Sequence, residues 1–370
     1  MNDCLYDYWV ASMQNGYIGN LVRITDDVGG AKSLYEYITY HKNGGNTRKI
    51  MLTDAMKDYM AACWKNTDDI ERDYYKMLGK NIVYVNHNDK DFPDRLRNIP
   101  SPPYGLFVKG ELPDEKKKSI AIVGSRECSE YGRNCAEYFG DRLSREGIQI
   151  ISGMAWGIDG ISQMAAVKAG GKSYGILGCG VDVIYPVKNA GLYNMLCKDG
   201  NGVISEYAPG TKAASRLFPP RNRIIAGLCD LLLVVEARAK SGTFITVRLA
   251  MEQGKSIMAV PGRITDELSR GCLMLTKEGA APAISIDSVL RELGVDPKDD
   301  EAYRQCELEL DVPDDLCRRI IGNISYDPIS ADELSDLCKM SINDVLINLS
   351  KLELKGYIKE IAQGKFVINS

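Results

Sequence analysis

Short loops rich in Gly and Ser are the parts of this chain best suited to chemistry, because several of them also carry an Arg or a Lys. Six such loops lie between residues 119 and 262, and each follows a short hydrophobic run. Main-chain N–H groups in loops of this kind, and the helix N-termini that follow them, favour anions. The chain contains only 2 His, and its 11 Cys include no pair at C-x-x-C spacing. The pattern therefore predicts a phosphate-binding surface without a metal site or a cofactor.

The first loop, Gly124-Ser125-Arg126, predicts a contact with phosphate. A glycine lets the main chain approach a ligand closely, and a guanidinium can donate two hydrogen bonds to one phosphate. The loop lacks the G-x-G-x-x-G spacing of a dinucleotide site. An ion pair between Arg126 and Glu130 is an equally good interpretation of the same residues.

Three further loops supply candidate contacts of the same kind. The second loop contains Trp156, for which a place in the core is a simpler interpretation than base stacking. In the third, a lysine after a proline turn is either solvated or in contact with phosphate. In the fifth, Ser, Gly and Thr open a helix that could hold another phosphate. The predicted contacts from these loops are Ser152, Gly153, Lys188, Lys240, Ser241, Gly242 and Thr243.

The segment 217–224 is the most specific stretch of the chain. Two prolines fix the backbone before a helix, and two arginines bracket the helix N-terminus, where positive charge is unfavourable unless an anion offsets it. Phe218 stands beside these arginines, an arrangement typical of proteins that bind single-stranded nucleic acids by stacking. A hydrophobic staple into the helix is the alternative role for Phe218. The predicted contacts here are Phe218, Arg221, Asn222 and Arg223.

Hydrophobic runs and helical patterns alternate over residues 119–290 and predict the elements that hold these loops. The alternation is typical of an α/β fold with a doubly wound, Rossmann-like parallel sheet, in which right-handed crossovers place the loops at one edge. Residues 1–80 are predicted to form a helical module of helix-hairpin-helix or SAM-like type, with the hairpin turn at 16–21. Residues 81–118 are predicted to be a connector with short strands, 291–307 a polar linker and 308–370 a winged helix.

Charge is distributed unevenly around a net value of −4. Lys and Arg outnumber Asp and Glu in residues 119–290, and the reverse holds in 308–370, so a polyanion is expected to bind the middle of the chain. The predicted recognition helix, 341–355, buries Val345, Leu346, Leu349 and Leu352. Its exposed residues, among them Asn348, are polar and mixed in charge, which favours a protein contact or a weak accessory role in DNA binding over groove reading. No apolar run reaches membrane length and the first residues lack a signal-peptide pattern, so a cytoplasmic location is expected.

The loops and the segment 217–224 together resemble the DNA-processing protein A family (DprA, also called Smf). The stretches that carry the resemblance are Val123–Arg126, Ser152–Asp159, Tyr185-Pro186, Ser205–Tyr207, Phe218–Gly227, Val235–Ala237, Ser241–Thr246, Pro261-Gly262 and Gly279-Ala280. The resemblance implies a non-catalytic protein that binds single-stranded DNA, protects it during natural transformation and loads the RecA recombinase. It also implies a homodimer formed through the Rossmann-like domain, and DNA contacts at residues 124–126, at Lys188 and at residues 218–223.

Two positions depart from the family pattern and put details of loop geometry in question. Gln163 stands where the family usually has His, and Leu273 stands where it usually has Asn. The alternative function is an enzyme that cleaves the N-glycosidic bond of nucleoside monophosphates, because Ser241–Thr243 with Glu236 is similar to the phosphate loop and strand-end carboxylate of such enzymes. No second placed carboxylate is evident for acid–base chemistry there.

Overall fold

The structure is a computed structural model that describes residues 3–14, 20–42, 52–296, 315–324, 328–362 and 364–368. Contacts between residues divide the chain into two compact units, Met1–Pro297 and Lys298–Ser370. The finer division of the first unit into a helical module, a connector and a sheet domain stays a prediction. Among the described residues, no helix combines the length and the apolar character needed to cross a bilayer.

In the part of the chain that the structure describes, five helices begin the first unit. They pack around Trp9, whose side chain is fully buried, and their core continues into Phe107 and Val203 of the sheet described next. The helical prediction for residues 1–80 therefore agrees with the described part of that segment. The predicted hairpin turn at 16–21 falls largely on residues 15–19, outside the described residues. The helices are α1 (Asp3–Ser12), α2 (Leu21–Val28), α3 (Ala31–Lys42), α4 (Asp54–Ala62) and α5 (Thr67–Leu78).

A nine-stranded sheet organises the rest of this unit, in the spatial order β1-β2-β6-β5-β4-β3-β7-β8-β9. From β6 to β9 every neighbouring pair is parallel, which confirms the doubly wound sheet. The two strands of the predicted connector, β1 and β2, extend the same sheet as an antiparallel edge. The strands are β1 (Val83–Asn86), β2 (Gly105–Gly110), β3 (Ser119–Val123), β4 (Gln149–Ser152), β5 (Ser173–Ile176), β6 (Gly202–Ser205), β7 (Leu231–Val234), β8 (Ser256–Ala259) and β9 (Ala281–Pro282).

Helices cover both faces of the sheet, so the strands are buried on both sides and read as continuous apolar runs. The two prolines predicted to precede a helix lie in its first turn, because that helix begins at Phe218. The helices are α6 (Asp94–Arg97), α7 (Glu130–Arg145), α8 (Ile158–Lys168), α9 (Ala190–Leu196), α10 (Phe218–Leu228), α11 (Thr243–Glu252), α12 (Arg270–Lys277) and α13 (Ile286–Glu292).

The second unit is a winged helix whose three strands pair antiparallel in the order β10-β12-β11. Its elements are α14 (Asp315–Ile321), β10 (Ile329–Ser330), α15 (Ala331–Cys338), α16 (Ile342–Leu354), β11 (Ile358–Ala362) and β12 (Lys365–Ile368). In α16, Val345, Leu349 and Leu352 are buried as predicted, but Leu346 is exposed. Asn348, predicted to be exposed, is buried. Its amide is satisfied there because it donates to the carbonyl of Asp344 at 2.8 Å.

Candidate nucleic-acid interface

The loops that follow β3 and β7 meet where the strand order reverses, which is the place where open α/β sheets bind ligands. An open cleft of about 570 Å³ lies there. The cleft brings together nine of the predicted contacts. They are Gly124, Ser125, Arg126, Phe218, Arg221, Asn222, Ser241, Gly242 and Thr243.

A cation beside two stacked aromatic rings forms the rim of this cleft. The ring centroids of Tyr185 and Phe218 are 5.4 Å apart with an interplanar angle of 23°. The Arg126 guanidinium carbon lies 5.7 Å from the Phe218 ring centroid, and its side chain is exposed. Among the described residues Arg126 makes no ion pair; Glu130, its alternative partner, pairs with Arg133 at 3.8 Å. The rim therefore offers a solvent-facing charge next to a flat apolar surface.

Arg221 reaches the same cleft from below and is buried. Its Nη1 donates to the carbonyls of Gly153 (3.0 Å) and Ile176, and its Nε donates to Asn222 Oδ1 at 3.1 Å. Burial lowers the pKa of Arg221 to about 10, and nearby Asp159 opposes this change. The guanidinium therefore stays charged at neutral pH and is held in one orientation.

Asp159 supplies the counter-charge at the floor of the cleft. It lies in the first turn of α8 and accepts a hydrogen bond from the amide of Gly153 at 3.1 Å. Burial raises the pKa of its carboxyl, whereas Arg221 and the Gly153 amide lower it. A Cβ on Gly153 would approach both Arg221 Nη2 and Asp159 Oδ2 to 2.8 Å, so only glycine fits between them. Although a helix cap is the usual role of an Asp at a helix start, the N-cap position of α8 is Gly157, which has no side-chain cap, and the Asp159 carboxylate bonds the preceding loop instead.

The structure corrects the prediction that Arg223 contacts phosphate. Both Nη atoms donate to the two carboxylate oxygens of Glu206 at 2.7 Å, and Nε donates to the carbonyl of Ser101 at 2.7 Å. Only 9% of Arg223 and 2% of Glu206 are exposed. Four of the five N–H donors of Arg223 are used below the surface, including one from Nη1 to the carbonyl of Pro220 at 2.9 Å, so Arg223 holds the fold together.

Ser152 and Gly153 are also structural. The Ser152 hydroxyl donates to the carbonyl of Ile122 at 2.6 Å, and neither residue is exposed. The Ser125 amide in the first loop donates to the carbonyl of Glu236 at 2.8 Å. The amides of Ser125 and Gly153 thus bond within the chain, and the positive charge of the cleft comes from side chains.

The helix N-termini at the cleft also offer few free main-chain N–H groups to a ligand. Pro219 and Pro220 lack N–H groups, which removes two of the four free donors in the first turn of α10. At the start of α11 the Thr243 amide donates to Ser241 Oγ at 3.3 Å. Gly242 faces open space, because a Cβ built on it would meet nothing within 4 Å. This corner is open to a ligand, and only its helix dipole and nearby cations attract an anion.

The remaining predicted lysines lie outside the cleft. Lys188 is exposed, and its Nζ lies 4.9 Å from the ring centroid of Trp156. Lys240 is exposed in the loop before α11. The expectation that Trp156 belongs to the core is wrong, since 45% of it is exposed. Trp156 and Tyr185 are the site residues that reasoning from the sequence missed; the only signal was their position in strand-end loops.

Glu236, the strand-end carboxylate on which the alternative enzyme function depends, has a structural role. Glu236 is 2% exposed and accepts hydrogen bonds from the main-chain N and the hydroxyl of Ser129, the residue that caps α7. A Cβ on Gly132 would come within 2.2 Å of the same carboxylate, so the helix packs directly onto it. Glu236 therefore joins β7 to the first turn of α7 and does not face the cleft.

A model of the family described as DNA recombination-mediator protein A matches residues 83–294, and a model of the DprA winged helix domain matches residues 307–364. The chain belongs to the DNA-processing protein A family. The DNA processing protein DprA of Streptococcus pneumoniae is 44% identical over 204 residues, which cover 55% of this chain and 72% of that protein. The DprA of Bacillus subtilis is 35% identical over 257 residues, 67% of this chain and 85% of that protein.

Two solved structures of family members have the same fold. The X-ray structure of S. pneumoniae DprA covers 75% of this chain and 98% of that chain, with 34% identity and a TM-score of 0.56. The DprA of Helicobacter pylori covers 57% of this chain and 95% of that chain, with 24% identity and a TM-score of 0.51. The H. pylori structure describes the single-stranded DNA binding mode of that protein.

The first departure from the family pattern has a structural explanation in this chain. Gln163 is buried; its Oε1 accepts from the amide of Met154 at 3.1 Å, and its Nε2 donates to Ser173 Oγ at 3.2 Å and to the carbonyl of Tyr174 at 3.0 Å. It thus ties the second loop to β5 with every polar atom used. Leu273 is half-buried in α12, and nothing in the structure explains its choice.

Proposed function

We propose that this protein binds single-stranded DNA through the cleft, without sequence preference. The observation that carries the proposal is the rim itself, where Arg126 stands over Phe218 and Phe218 stacks on Tyr185. Aromatic faces beside cations bind unpaired bases, at roughly 1–3 kcal/mol per stacked base, and tolerate any sequence because every base has a π-face. The predicted contacts at Ser125, Asn222, Lys240 and Ser241–Thr243 belong to this proposal, as does Lys188.

Membership of the family supports a wider role. We propose that the protein protects single strands and loads the RecA recombinase onto them during natural transformation, in the cytoplasm. We also propose a homodimer formed through the α/β unit. Apolar side chains on the β8–β9 side favour such an interface: Ile264 is 82% exposed and Ile284 is 74% exposed. Light scattering on the free protein tests the dimer, and a monomeric mass at micromolar concentration would contradict it.

The role we propose is binding without catalysis. The alternative, cleavage of a nucleoside monophosphate, needs a carboxylate facing the substrate. Glu236, the residue that suggested it, is buried and bonded to Ser129. The test is to incubate the protein with AMP or CMP and to assay free base. Enzymatic release of base would overturn the non-catalytic role.

The central test compares DNA forms. Fluorescence anisotropy with a labelled dT oligomer and with a duplex of equal length should show tighter binding of the single strand. The logarithm of the affinity should fall linearly with the logarithm of salt concentration, by a slope of about 0.7 for each phosphate neutralised. A mixed-sequence single strand should bind about as well as dT. Equal affinity for duplex and single strand would refute the proposal.

A further inference from the structure

We propose that Trp156 and Lys188 form a second base-stacking position, next to the one at Phe218. The inference rests on the proposed function and extends it, because it assigns a nucleobase subsite to a residue outside the family-like contacts. The chain has 3 Trp in all. Trp9 is 1% exposed and Trp64 is half-buried against Tyr35, whereas Trp156 is 45% exposed.

Trp156 is held in place from the main chain. The following residue, Gly157, has φ 85°, and a Cβ on it would come within 2.3 Å of the carbonyl oxygen of Ser125 and 2.5 Å of that of Arg126. The second loop is therefore packed directly against the first. This contact fixes the backbone that follows Trp156 against Arg126, and it leaves the indole ring exposed to solvent.

Lys188 places a positive charge beside the exposed Trp156 ring, where it can attract the phosphate of a stacked nucleotide. Its Nζ lies 4.9 Å from the ring centroid, in the same relation that Arg126 has to Phe218. The molecule thus repeats one arrangement, a cation against an exposed or half-exposed aromatic ring, at two neighbouring places. A stacked base with its phosphate at the cation fits both places.

The two places are continuous. A small depression of about 80 Å³ is lined by Trp156, Tyr185, Phe218 and Arg126 together. Beyond Trp156 a groove of about 500 Å³ runs along α7 and α8, and Arg126 borders it as well. A strand with one base on Phe218 and a phosphate at Arg126 would therefore bring a neighbouring base to Trp156.

The groove along α7 and α8 does not continue the positive surface. Its cations are balanced by an equal number of carboxylates, so it has no net attraction for a phosphate backbone. Trp156 consequently marks the end of the binding path and stacks the last base held by this subunit. The charged residues of the groove are Arg126, Arg133 and Lys168 against Glu127, Glu137 and Asp141.

Tryptophan fluorescence of the full chain tests the second position directly, since stacking on a nucleobase quenches an indole. Wild type titrated with a dT oligomer should be quenched, and Trp156→Phe should bind with little loss of affinity but show no quenching. Trp156→Ala should bind about tenfold more weakly. An abasic oligomer of the same length should not quench the wild type. Tyr40→Ala, which removes a 57% exposed aromatic side chain of α3, is the matched control and should behave as wild type.

The outcomes separate the two proposals. If the wild type binds dT but Trp156→Phe is still quenched, or Trp156→Ala binds as tightly as wild type, the second stacking position is refuted and the proposed function stands. If the wild type does not bind dT, both proposals fail. Trp156→Phe keeps the ring, and Trp156→Ala changes an exposed side chain, so a circular-dichroism melt near that of wild type is expected for each.

Discussion

The rim of the cleft and the layer beneath it use the same side chain for opposite purposes. On the rim, Arg126 is exposed and lies beside the Phe218 ring. Beneath it, Arg223 is buried and bonds Glu206 through both Nη atoms. A cation at the solvent boundary can exchange its bound water for a phosphate. A buried cation that is already paired with a carboxylate cannot leave that partner to bind a ligand. The position of an arginine in the fold, more than its place in a motif, decides whether it can bind a ligand or stabilises the fold.

The buried layer also joins distant parts of the first unit. The Gln14 side-chain amide donates to Glu206 Oε2 at 3.2 Å, so Glu206 connects the end of the first helical segment with α10. Arg221 lies between the two layers, because it is buried yet lines the cleft. The rim thus lies above a buried polar network whose hydrogen bonds are made within the protein.

The largest expected effect comes from breaking the buried layer. Glu206→Gln leaves the Arg223 guanidinium buried without its counter-charge, a change that typically costs about 3–5 kcal/mol of stability. Urea denaturation measures the free energy of unfolding. Glu252→Gln, which removes the carboxylate of an exposed pair with Arg248, is the control and should cost less than about 1 kcal/mol. Equal losses in the two variants would show that Glu206 and Arg223 are not a structural pair.

The sequence predicted the rim better than the layer beneath it. Hydrophobic runs ending in Gly or Ser correctly located the strands and the cleft, because a strand end in a parallel sheet fixes where its loop lies. The burial of Arg223 could not be predicted, since its partner Glu206 follows another strand and only the tertiary fold joins them. Trp156 was misplaced for the same reason: its exposure depends on how the second loop packs on the first.

The next largest effect should come from the rim. Arg126→Ala removes an exposed charge with no ion pair among the described residues, so stability should change little while affinity for dT falls roughly ten- to hundredfold, the range for a hydrogen bond to a charged group. Anisotropy titrations at fixed salt measure the affinity. Arg248→Ala, an exposed arginine of α11, is the matched control. Wild-type affinity for Arg126→Ala would remove the rim from the binding site.

Stacking and charge at the rim can then be separated. Tyr185→Ala removes the ring against which Phe218 stacks, and pairs of this kind contribute about 0.5–1.5 kcal/mol. Its affinity for dT should fall severalfold at every salt concentration, with an unchanged salt slope. Arg126→Ala should instead lower the slope by about 0.7, the value for one phosphate contact. A changed slope for Tyr185→Ala would mean that the ring acts by positioning a cation.

The smallest effect is expected from the winged helix. Its α16 exposes Leu346 and Ile347 together with mixed charge, and the unit as a whole carries more Asp and Glu than Lys and Arg. Such a surface repels phosphate and suits a protein partner. A chain that ends at residue 297, where the contacts divide the two units, should therefore bind dT within tenfold of the full chain. A larger loss would place part of the DNA-binding surface on the winged helix and would end the contrast between a DNA-binding first unit and an acidic second one.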